Sequence, residues 1–412
     1  MKYDIFFSLS QTEVDGYTPD TKKMFTNFLD QVELADELEF QTAWIAETHL
    51  SCQTQKKTSL AVVREFKGEI GVNSDILQLA PLVFSKTKNI NVGSAIRNIL
   101  CNGGPITHAE SLKHFMALHE VSEYSDRQIE LGFAAGRFNF SNAPFGVHPR
   151  DEIEMMAWNQ VKARAFEEAT EVFLRLLLGQ EISSTAIPPQ FLDSSHFRSS
   201  EEWHKIRDFA KEDGRLTADE RIQIKKFFIF EIMSLIPLDV SFDKLTLTLG
   251  SQDPRVQKLA NEYMPVRVFN LSITPNDIIE KTHERMRGVY NKSGGAWKRW
   301  FMPRTCMIFI DDTPGASEAS KELNAKEKAT RAWENYWRAM SGTIDPQKVK
   351  SAVDNAVFGS PELVAEKISQ MYHPHDRLML WFDFNNHDND DVKKMMRLFK
   401  EKVIPRIENY DT

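Results

Sequence analysis

The sequence lacks the features that mark several classes of protein. Its three cysteines, Cys52, Cys101 and Cys306, are isolated; they make neither a disulfide framework nor a paired metal motif, and a reducing, cytoplasmic compartment is expected. The net charge is −8 and no dense Lys/Arg block occurs, which argues against a nucleic-acid or anionic-membrane surface. The first apolar stretch reaches only Leu9, too short for a signal peptide or a membrane span.

Familiar nucleotide and metal motifs are also missing. No G-x-G-x-x-G and no Walker A sequence occurs, so neither a Rossmann dinucleotide site nor a P-loop is predicted. There is no H-E-x-x-H, and the histidines and aspartates between His373 and Asp388 match no standard zinc spacing. We interpret these side chains as belonging to solvated polar loops around the last predicted strand and expect no metal site.

What the sequence does contain is a repeated alternation of strand-like and helix-like segments. Hydrophobic residues make up 42% of the chain, enough to bury a large core. Helical segments separate the predicted strands, as parallel pairing requires. Among them are one long helix over residues 151–178 and a shorter one over Pro254–Tyr263. The predicted strands cover residues 3–9, 42–46, 89–94, 128–134, 244–249, 266–269, 304–310 and 377–382.

Eight strand–helix units close most simply into a barrel. The sequence therefore predicts an α/β fold, a (β/α)8 TIM barrel forming a single domain over residues 1–412, with a doubly wound sheet as the alternative. Between residues 179 and 240 the alternation is lost in paired prolines, a Ser-rich run and a charged stretch. This segment predicts an insertion between strands 4 and 5, helical in its middle.

In such a barrel, catalytic residues follow the carboxyl ends of the strands. Glu47 and His49 place an acid and an imidazole together after the second strand. His49 could act as a base or hold a cofactor carbonyl, because its pKa lies near neutrality. The alternative is a hydrogen-bonded structural pair.

Two further segments offer anion-binding groups. Gly250, Ser251 and Gln252 precede a helix that starts at Pro254, and the exposed N–H groups of a helix start favour a phosphate. The alternative is that Ser251 or Asp253 only caps that helix. Arg137, after the fourth strand, could neutralise a phosphate or form a salt bridge to a neighbouring loop.

Apolar side chains follow the last predicted strand. Trp381, Phe382 and Phe384 could line a substrate pocket at the barrel mouth, or they could belong to the core.

Several segments, in order along nearly the whole chain, resemble the luciferase-like flavin monooxygenase family. Residues 44–49 (WIAETH) resemble its W-x-x-E-H-H signature, and residues 358–368 resemble its G-[ST]-P-E-x-V-A-x-x-I helix. The other similar segments are 35–40, 91–95, 105–110, 131–146 and 398–405. Each motif is weak alone, but their shared order is specific and agrees with the predicted strands.

The resemblance implies an oxidoreductase that binds a flavin, FMN or the deazaflavin F420, at the carboxyl ends of the strands. The ring would pack by Ser94, Ala95 and Ile96, where the family often has a non-proline cis peptide, here Ala95–Ile96. The phosphate would sit at Gly250 and Ser251. Family members commonly receive reduced FMN from a separate NAD(P)H:flavin reductase and form a homodimer or a related heterodimer.

Three positions depart from the family pattern. Thr48 replaces the first histidine of the pair, Ala135 replaces an arginine that contacts phosphate in luciferase, and Glu39 replaces a glycine.

Our hypothesis is a monooxygenase in which reduced FMN and O2 oxygenate a small organic substrate through a C4a-peroxyflavin. The alternatives are an F420-dependent oxidoreductase that transfers hydride and a non-catalytic flavin-binding protein.

Overall fold

A curled sheet of parallel strands organises the chain. The computed structural model describes residues 1–50, 74–270, 274–341 and 346–410. Its strands are β1 Lys2–Phe7, β2 Thr42–Ile45, β3 Asn91–Asn98, β4 Ile129–Ala134, β5 Phe191–Leu192, β6 Ile222–Gln223, β7 Leu245–Leu249, β8 Val266–Val268, β9 Pro303–Ile310, β10 Val357–Gly359 and β11 Arg377–Trp381.

Helices lie between the strands and cover the sheet. They are α1 Thr21–Glu37, α2 Ile76–Lys86, α3 Gly104–Glu120, α4 Asn139–Asn142, α5 Glu152–Met156, α6 Trp158–Leu177, α7 Ser200–Glu212, α8 Pro254–Tyr263, α9 Asn276–Val289, α10 Glu318–Ser341, α11 Pro346–Asp354, α12 Pro361–Met371, α13 Asn389–Leu398 and α14 Ile404–Tyr410, with a π-helical turn, Phe399–Val403, joining the last two. Along the described ranges, no helix combines the length and apolar character needed to cross a membrane.

Nine strands form the large sheet in the order β10-β9-β11-β1-β2-β3-β4-β7-β8, and the pairings are parallel. Just after β8, the N–H of Asn270 donates to Pro303 O at 3.0 Å, and the N–H of Thr305 donates to Asn270 O at 3.1 Å. A parallel bridge therefore joins the β8 end of the sheet to β9. The α/β class and the parallel sheet that the sequence predicts are confirmed.

Two details of the predicted elements are wrong. The sequence predicts no strand at Val357–Gly359, because three residues are too few to show a period. It also predicts one long helix from residue 151 to 178, whereas α5 and α6 are separate helices with a break at Ala157, where φ is −106° and ψ is 26°. The strand bounds otherwise differ by a few residues, as is usual at element ends.

The segment 179–240, which the structure describes throughout, contributes no strand to the large sheet. It contains helix α7 and the antiparallel pair β5–β6. Trp203 and Ile206 of α7 pack with Val161 of α6 in a small apolar cluster of their own. The predicted helix in the middle of this segment is present.

Buried ions cross the concave side of the sheet. Arg377 of β11 donates to Glu130 Oε2 of β4 at 2.8 Å, and its Nε lies 2.6 Å from Asp4 Oδ2 of β1. Asp4 also accepts from Trp44 Nε1 at 2.7 Å. Three strands separate β11 from β4, so in a flat sheet Arg377 and Glu130 would stand about 19 Å apart. Their contact requires the sheet to curl.

Replacing Arg377 with methionine tests the importance of this network. Arg377→Met fills a similar volume but leaves the Asp4 and Glu130 carboxylates buried without a cation, and we expect a loss of roughly 3–5 kcal/mol of unfolding free energy. Urea unfolding measures it. The matched control is Arg331→Met, which removes a surface pair with Asp15 and should cost less than about 1 kcal/mol. A loss in Arg377→Met no larger than in the control would contradict the role given to the network.

Candidate active site

A buried polar cluster lies at the carboxyl ends of β2 and β3. Ser94 pairs with Ile45 in the sheet, and its Oγ donates to Glu47 Oε2 at 2.7 Å. His49 Nε2 lies 3.0 Å from Glu47 Oε1. The hydrogen-bonded acid–imidazole pair that the sequence offered as a structural alternative is therefore present. A further role for either residue at a cofactor stays a prediction.

Arg97 supplies the positive charge of this cluster. Its Nη1 donates to Glu47 Oε1 at 3.0 Å and to Asp75 Oδ1 at 2.8 Å, and the guanidinium is 3% exposed. Its Nε donates to His108 Nδ1 at 2.8 Å. Nδ1 is thus an acceptor, so Nε2 carries the ring proton and donates to Cys101 O at 2.9 Å.

His108 is held neutral by this arrangement. Burial, helped by the charge of Arg97, lowers the pKa of His108 to about 3. The sequence gives no sign of this contact, because Asp75 caps α2 and His108 lies on α3, so only the folded chain brings them to Arg97. Asp75 and His108 therefore hold Arg97 in position against Glu47.

The peptide Ala95–Ile96 is cis, as the resemblance led us to expect. The register between β3 and β4 shifts here, since Ser94 pairs with Leu131 while Arg97 pairs with Phe133. Two glycines make room for this bulge. A Cβ on Gly132 would lie 2.4 Å from Ser94 O, and one on Gly250 would lie 2.4 Å from Ile96 Cδ1. Gly250 therefore adjoins the bulged segment.

The loop after β7 begins a capped helix. The Asp253 carboxylate accepts from Arg255 N at 2.9 Å, and the Asp253 N–H donates to Ser251 Oγ at 3.2 Å. The capping alternative is confirmed for Asp253. A phosphate contact by Gly250, Ser251 or Gln252 stays a prediction.

Gln252 contacts Asn270, which carries an unsatisfied hydrogen-bond donor within the described residues. Its Nε2 donates to Asn270 Oδ1, and Asn270 is fully buried. Within the described residues, Asn270 Nδ2 has no hydrogen-bond partner. A buried donor without an acceptor is costly, so this position suits a bound molecule that presents an oxygen or an imine nitrogen, as a flavin does.

Two cations lie near the end of β4. Arg137 is exposed, and its Nη1 donates to Tyr336 OH at 3.2 Å. Lys162 of α6 is partly buried, and its Nζ donates to Gly136 O at 2.7 Å and to Asn139 Oδ1 at 3.3 Å. Burial lowers the pKa of Lys162 to about 8, with no charged neighbour contributing. The sequence does not indicate this lysine, because it lies on the helix that follows the loop.

A cavity of about 150 Å³ opens at the ends of β1 and β11, beside α1. Trp381 and Phe384 line it, whereas Phe382 packs against Phe399 in the outer core. Asp383 also lines the cavity. In the described part of the chain no group of three or more His, Cys, Asp or Glu side chains could hold a metal ion.

This arrangement of sheet and rim defines an α/β luciferase-like fold, and solved structures share it. The monooxygenase RslO1 from Streptomyces bottropensis matches with a TM-score of 0.65 and 16% identity, covering 98% of this chain and 99% of its own. The oxygenating constituent of 3,6-diketocamphane monooxygenase from Pseudomonas putida, in complex with FMN, matches with a TM-score of 0.54 and 14% identity, covering 99% of each chain.

An F420-dependent secondary alcohol dehydrogenase matches equally well, with a TM-score of 0.54 and 14% identity over 98% of each chain. At these identities the likeness is one of fold. Residues 1–189 match the family described as luciferase-like monooxygenase, so the predicted family resemblance is confirmed for this part of the chain. The predicted enzyme class, an oxidoreductase, agrees with these neighbours. No curated protein sequence matches.

The neutral state of His108 predicts how stability changes with pH. In the unfolded chain this histidine titrates near 6.5, while in the fold its pKa is about 3, so the unfolded state takes up a proton first. Unfolding free energy should therefore fall as pH drops from 7 towards 5, by up to about 1.4 kcal/mol per pH unit for this one proton.

His108→Gln keeps an acceptor for Arg97 and a donor for Cys101 but cannot titrate. We expect its unfolding free energy to fall less steeply between pH 7 and 5 than that of the wild type, as measured by urea unfolding. The control His204→Gln changes an exposed histidine and should keep the wild-type slope. Equal slopes in all three proteins would show that His108 is not held neutral.

Proposed function

We propose that the protein is a flavin-dependent monooxygenase that uses reduced FMN and O2 to oxygenate a small organic substrate. The observation that carries this proposal is the convergence of Glu47, His49 and Ser94 with Gly250 around the bulged end of β3. The family match over residues 1–189 includes three of these four residues, and a neighbour of the same fold was solved with FMN.

We also propose that eight strands, β1–β4, β7–β9 and β11, close into a single-domain (β/α)8 barrel with residues 179–240 inserted between its fourth and fifth strands. The two hydrogen bonds of Asn270 to β9 support closure. In a closed barrel all eight strands end on one face, where barrel enzymes have their active sites.

The residues of this rim fit a flavin. Ser94, Ala95 and Ile96 would lie against the ring, Glu47 and His49 would orient its edge, and the unpaired Asn270 N–H would meet one of its acceptors. Reduced flavin, when bound, supplies the electrons that activate O2. The chain's own contribution is to position the ring and to exclude water from it.

Water exclusion depends on an apolar layer below the rim. Phe6, Trp44, Phe269 and Met379 form this layer, named here the inner apolar cluster, and each is at most 5% exposed. Ala95 and Ile96 pack against it. A ring held on these residues would therefore rest on a dry surface.

The same proposal includes a source of reduced flavin, a cellular compartment and an oligomeric state. A separate NAD(P)H:flavin reductase would provide reduced FMN, and the chain would act in the cytoplasm as a homodimer or with a related subunit. The two described cysteines, Cys101 and Cys306, are free and buried, which is consistent with a reducing compartment.

The oxygen reaction tests the function. The protein should bind anaerobically reduced FMN, and on mixing with O2 the bound flavin should reoxidise, and release its H2O2, more slowly than free reduced FMN. Stopped-flow absorbance and a peroxide assay measure both. No binding of reduced FMN, or reoxidation at the free rate, would rule out the monooxygenase.

Hydride transfer with F420 is the second candidate, favoured by the F420-dependent neighbour with the same TM-score as the FMN complex. Titration of the protein with reduced FMN and with F420 separates the two. Tighter binding of F420 and inertness to O2 would favour the dehydrogenase. Tight flavin binding with no turnover would favour a non-catalytic flavin-binding protein, which Thr48 in place of histidine would explain.

We assign the charge opposite the FMN phosphate to Lys162 rather than Arg137. Lys162 has no carboxylate partner in the described residues and is partly buried, so its charge is less screened than that of exposed Arg137. Two residues further along α6, Arg164 donates to Asp253 in the loop after β7 at 2.9 Å. The start of α6 thus spans the loops after β4 and β7, between which the phosphate would lie.

Lys162→Met should weaken FMN binding about tenfold or more, the value of one charge-assisted hydrogen bond, and leave riboflavin binding unchanged, because riboflavin lacks the phosphate. Flavin fluorescence titrations measure both affinities. The control Lys205→Met changes an exposed lysine and should alter neither. If Arg137→Gln weakens FMN selectively and Lys162→Met does not, the phosphate belongs to Arg137.

A further inference from the structure

The cavity at the ends of β1 and β11 has apolar walls. Phe6, Trp381 and Phe384 contribute aromatic faces, with ring centroids 4.3 Å apart for Phe6–Trp381 and 4.8 Å for Trp381–Phe384. A cavity of about 150 Å³ holds a molecule of roughly benzene size. Trp381 packs on the inner apolar cluster, as Ala95 and Ile96 do, so the cavity adjoins the proposed flavin surface.

The carboxylate of Asp383 faces this cavity. Asp383 Oδ2 accepts the backbone N–H of Ser8 at 2.8 Å, and Oδ1 accepts the Ser8 hydroxyl at 3.1 Å. Burial raises the pKa of Asp383 to about 6, while hydrogen bonds from Ser8, Trp381 and its own backbone lower it. Its carboxylate forms no salt bridge within the described residues. At pH 7.5 the carboxylate is therefore ionised and uncompensated, although it keeps lone pairs free for a donor.

A second acceptor lies in the cavity wall. Asn27 of α1 is 7% exposed, and its Oδ1 makes no hydrogen bond within the described residues. Its Nδ2 donates to His387 O at 3.3 Å, which fixes the orientation of the amide, because the flipped amide would set two oxygens against each other.

The neighbouring donors are already engaged. Trp381 Nε1 donates to Ser8 Oγ at 2.8 Å, the Ser8 hydroxyl donates to Asp383, and His387 Nε2 lies 2.7 Å from Thr12 O. Asp383 and Asn27 therefore present acceptors that these donors do not satisfy. A ligand that fits must bring N–H or O–H groups, and the net charge of the pair favours a cation.

We propose that this cavity is the substrate subsite and that it binds a small primary amine in its ammonium form, with the charge on Asp383 and the carbon skeleton against Phe6, Trp381 and Phe384. Aromatic faces around an ammonium add cation–π attraction. Asn27 accepts a hydrogen bond at the same wall. The subsite stands on its own contacts; only its role as the substrate site rests on the proposed function.

The test uses cyclohexylammonium and its neutral counterpart cyclohexanol as probes of matched shape. Isothermal titration at pH 7.5 on the full chain should show the amine binding at least tenfold more tightly than the alcohol. Asp383→Asn keeps the shape and an acceptor for Ser8 but removes the charge, and it should abolish this preference. Asp390→Asn, a change at a side chain that is 95% exposed, is the control and should retain it.

The comparison of amine and alcohol binding uses the wild type alone, so it tests the proposal even if Asp383→Asn fails to fold. Equal binding of amine and alcohol by the wild type, or an unchanged preference in a folded Asp383→Asn, overturns it. An FMN titration on the same samples separates the two proposals. FMN binding without amine binding overturns the subsite alone, while amine binding without FMN binding supports the subsite and contradicts the monooxygenase.

Discussion

The buried contact of Arg377 with Asp4 and Glu130 is the constraint on which the rest of the structure depends. It joins β11 to β1 and β4 across the concave side of the sheet. Opposite charges in a dry interior must stay together, because one left alone costs several kcal/mol. The strands that carry them cannot flatten, and their carboxyl ends are held on a common rim.

The inner apolar cluster separates this ionic layer from the rim. Trp44 belongs to both, since its indole N–H donates to Asp4 while its ring packs on Phe269. Above it, charged groups at the rim lie on an apolar surface, where pairing with an opposite charge lowers the cost of burial. Glu47 does so with Arg97, and Asp253 does so with Arg164. The positions of these side chains are thus set by charge pairing as well as by the backbone.

Much of the fold could be predicted from sequence, because the strands and helices have clear periods. Helix Pro254–Tyr263 matches its predicted bounds, and the Ala95–Ile96 cis peptide followed from the family motifs. The site was less predictable. Glu47 and His49 are neighbours in sequence, so their pairing was visible, whereas Arg97 meets Asp75 and His108 only in the folded chain. Lys162 was missed because its burial is not visible in the sequence. Asp383 was visible as a residue after the last predicted strand, but its burial was not.

The rim therefore divides into two chemically different halves. On the side of β2 and β3, acids and bases are matched and held, as Glu47 is by Arg97, Ser94 and His49, so a molecule bound there meets fixed dipoles and little uncompensated charge. On the side of β1 and β11, the groups that the described residues place on the Asp383 carboxylate are neutral donors of Ser8, of Trp381 and of its own backbone. A carboxylate left in this state stabilises whatever cation reaches it, and the apolar walls around it select for a small one. Both halves rest on the inner apolar cluster. A molecule in the cavity would therefore lie next to one bound on the bulged end of β3.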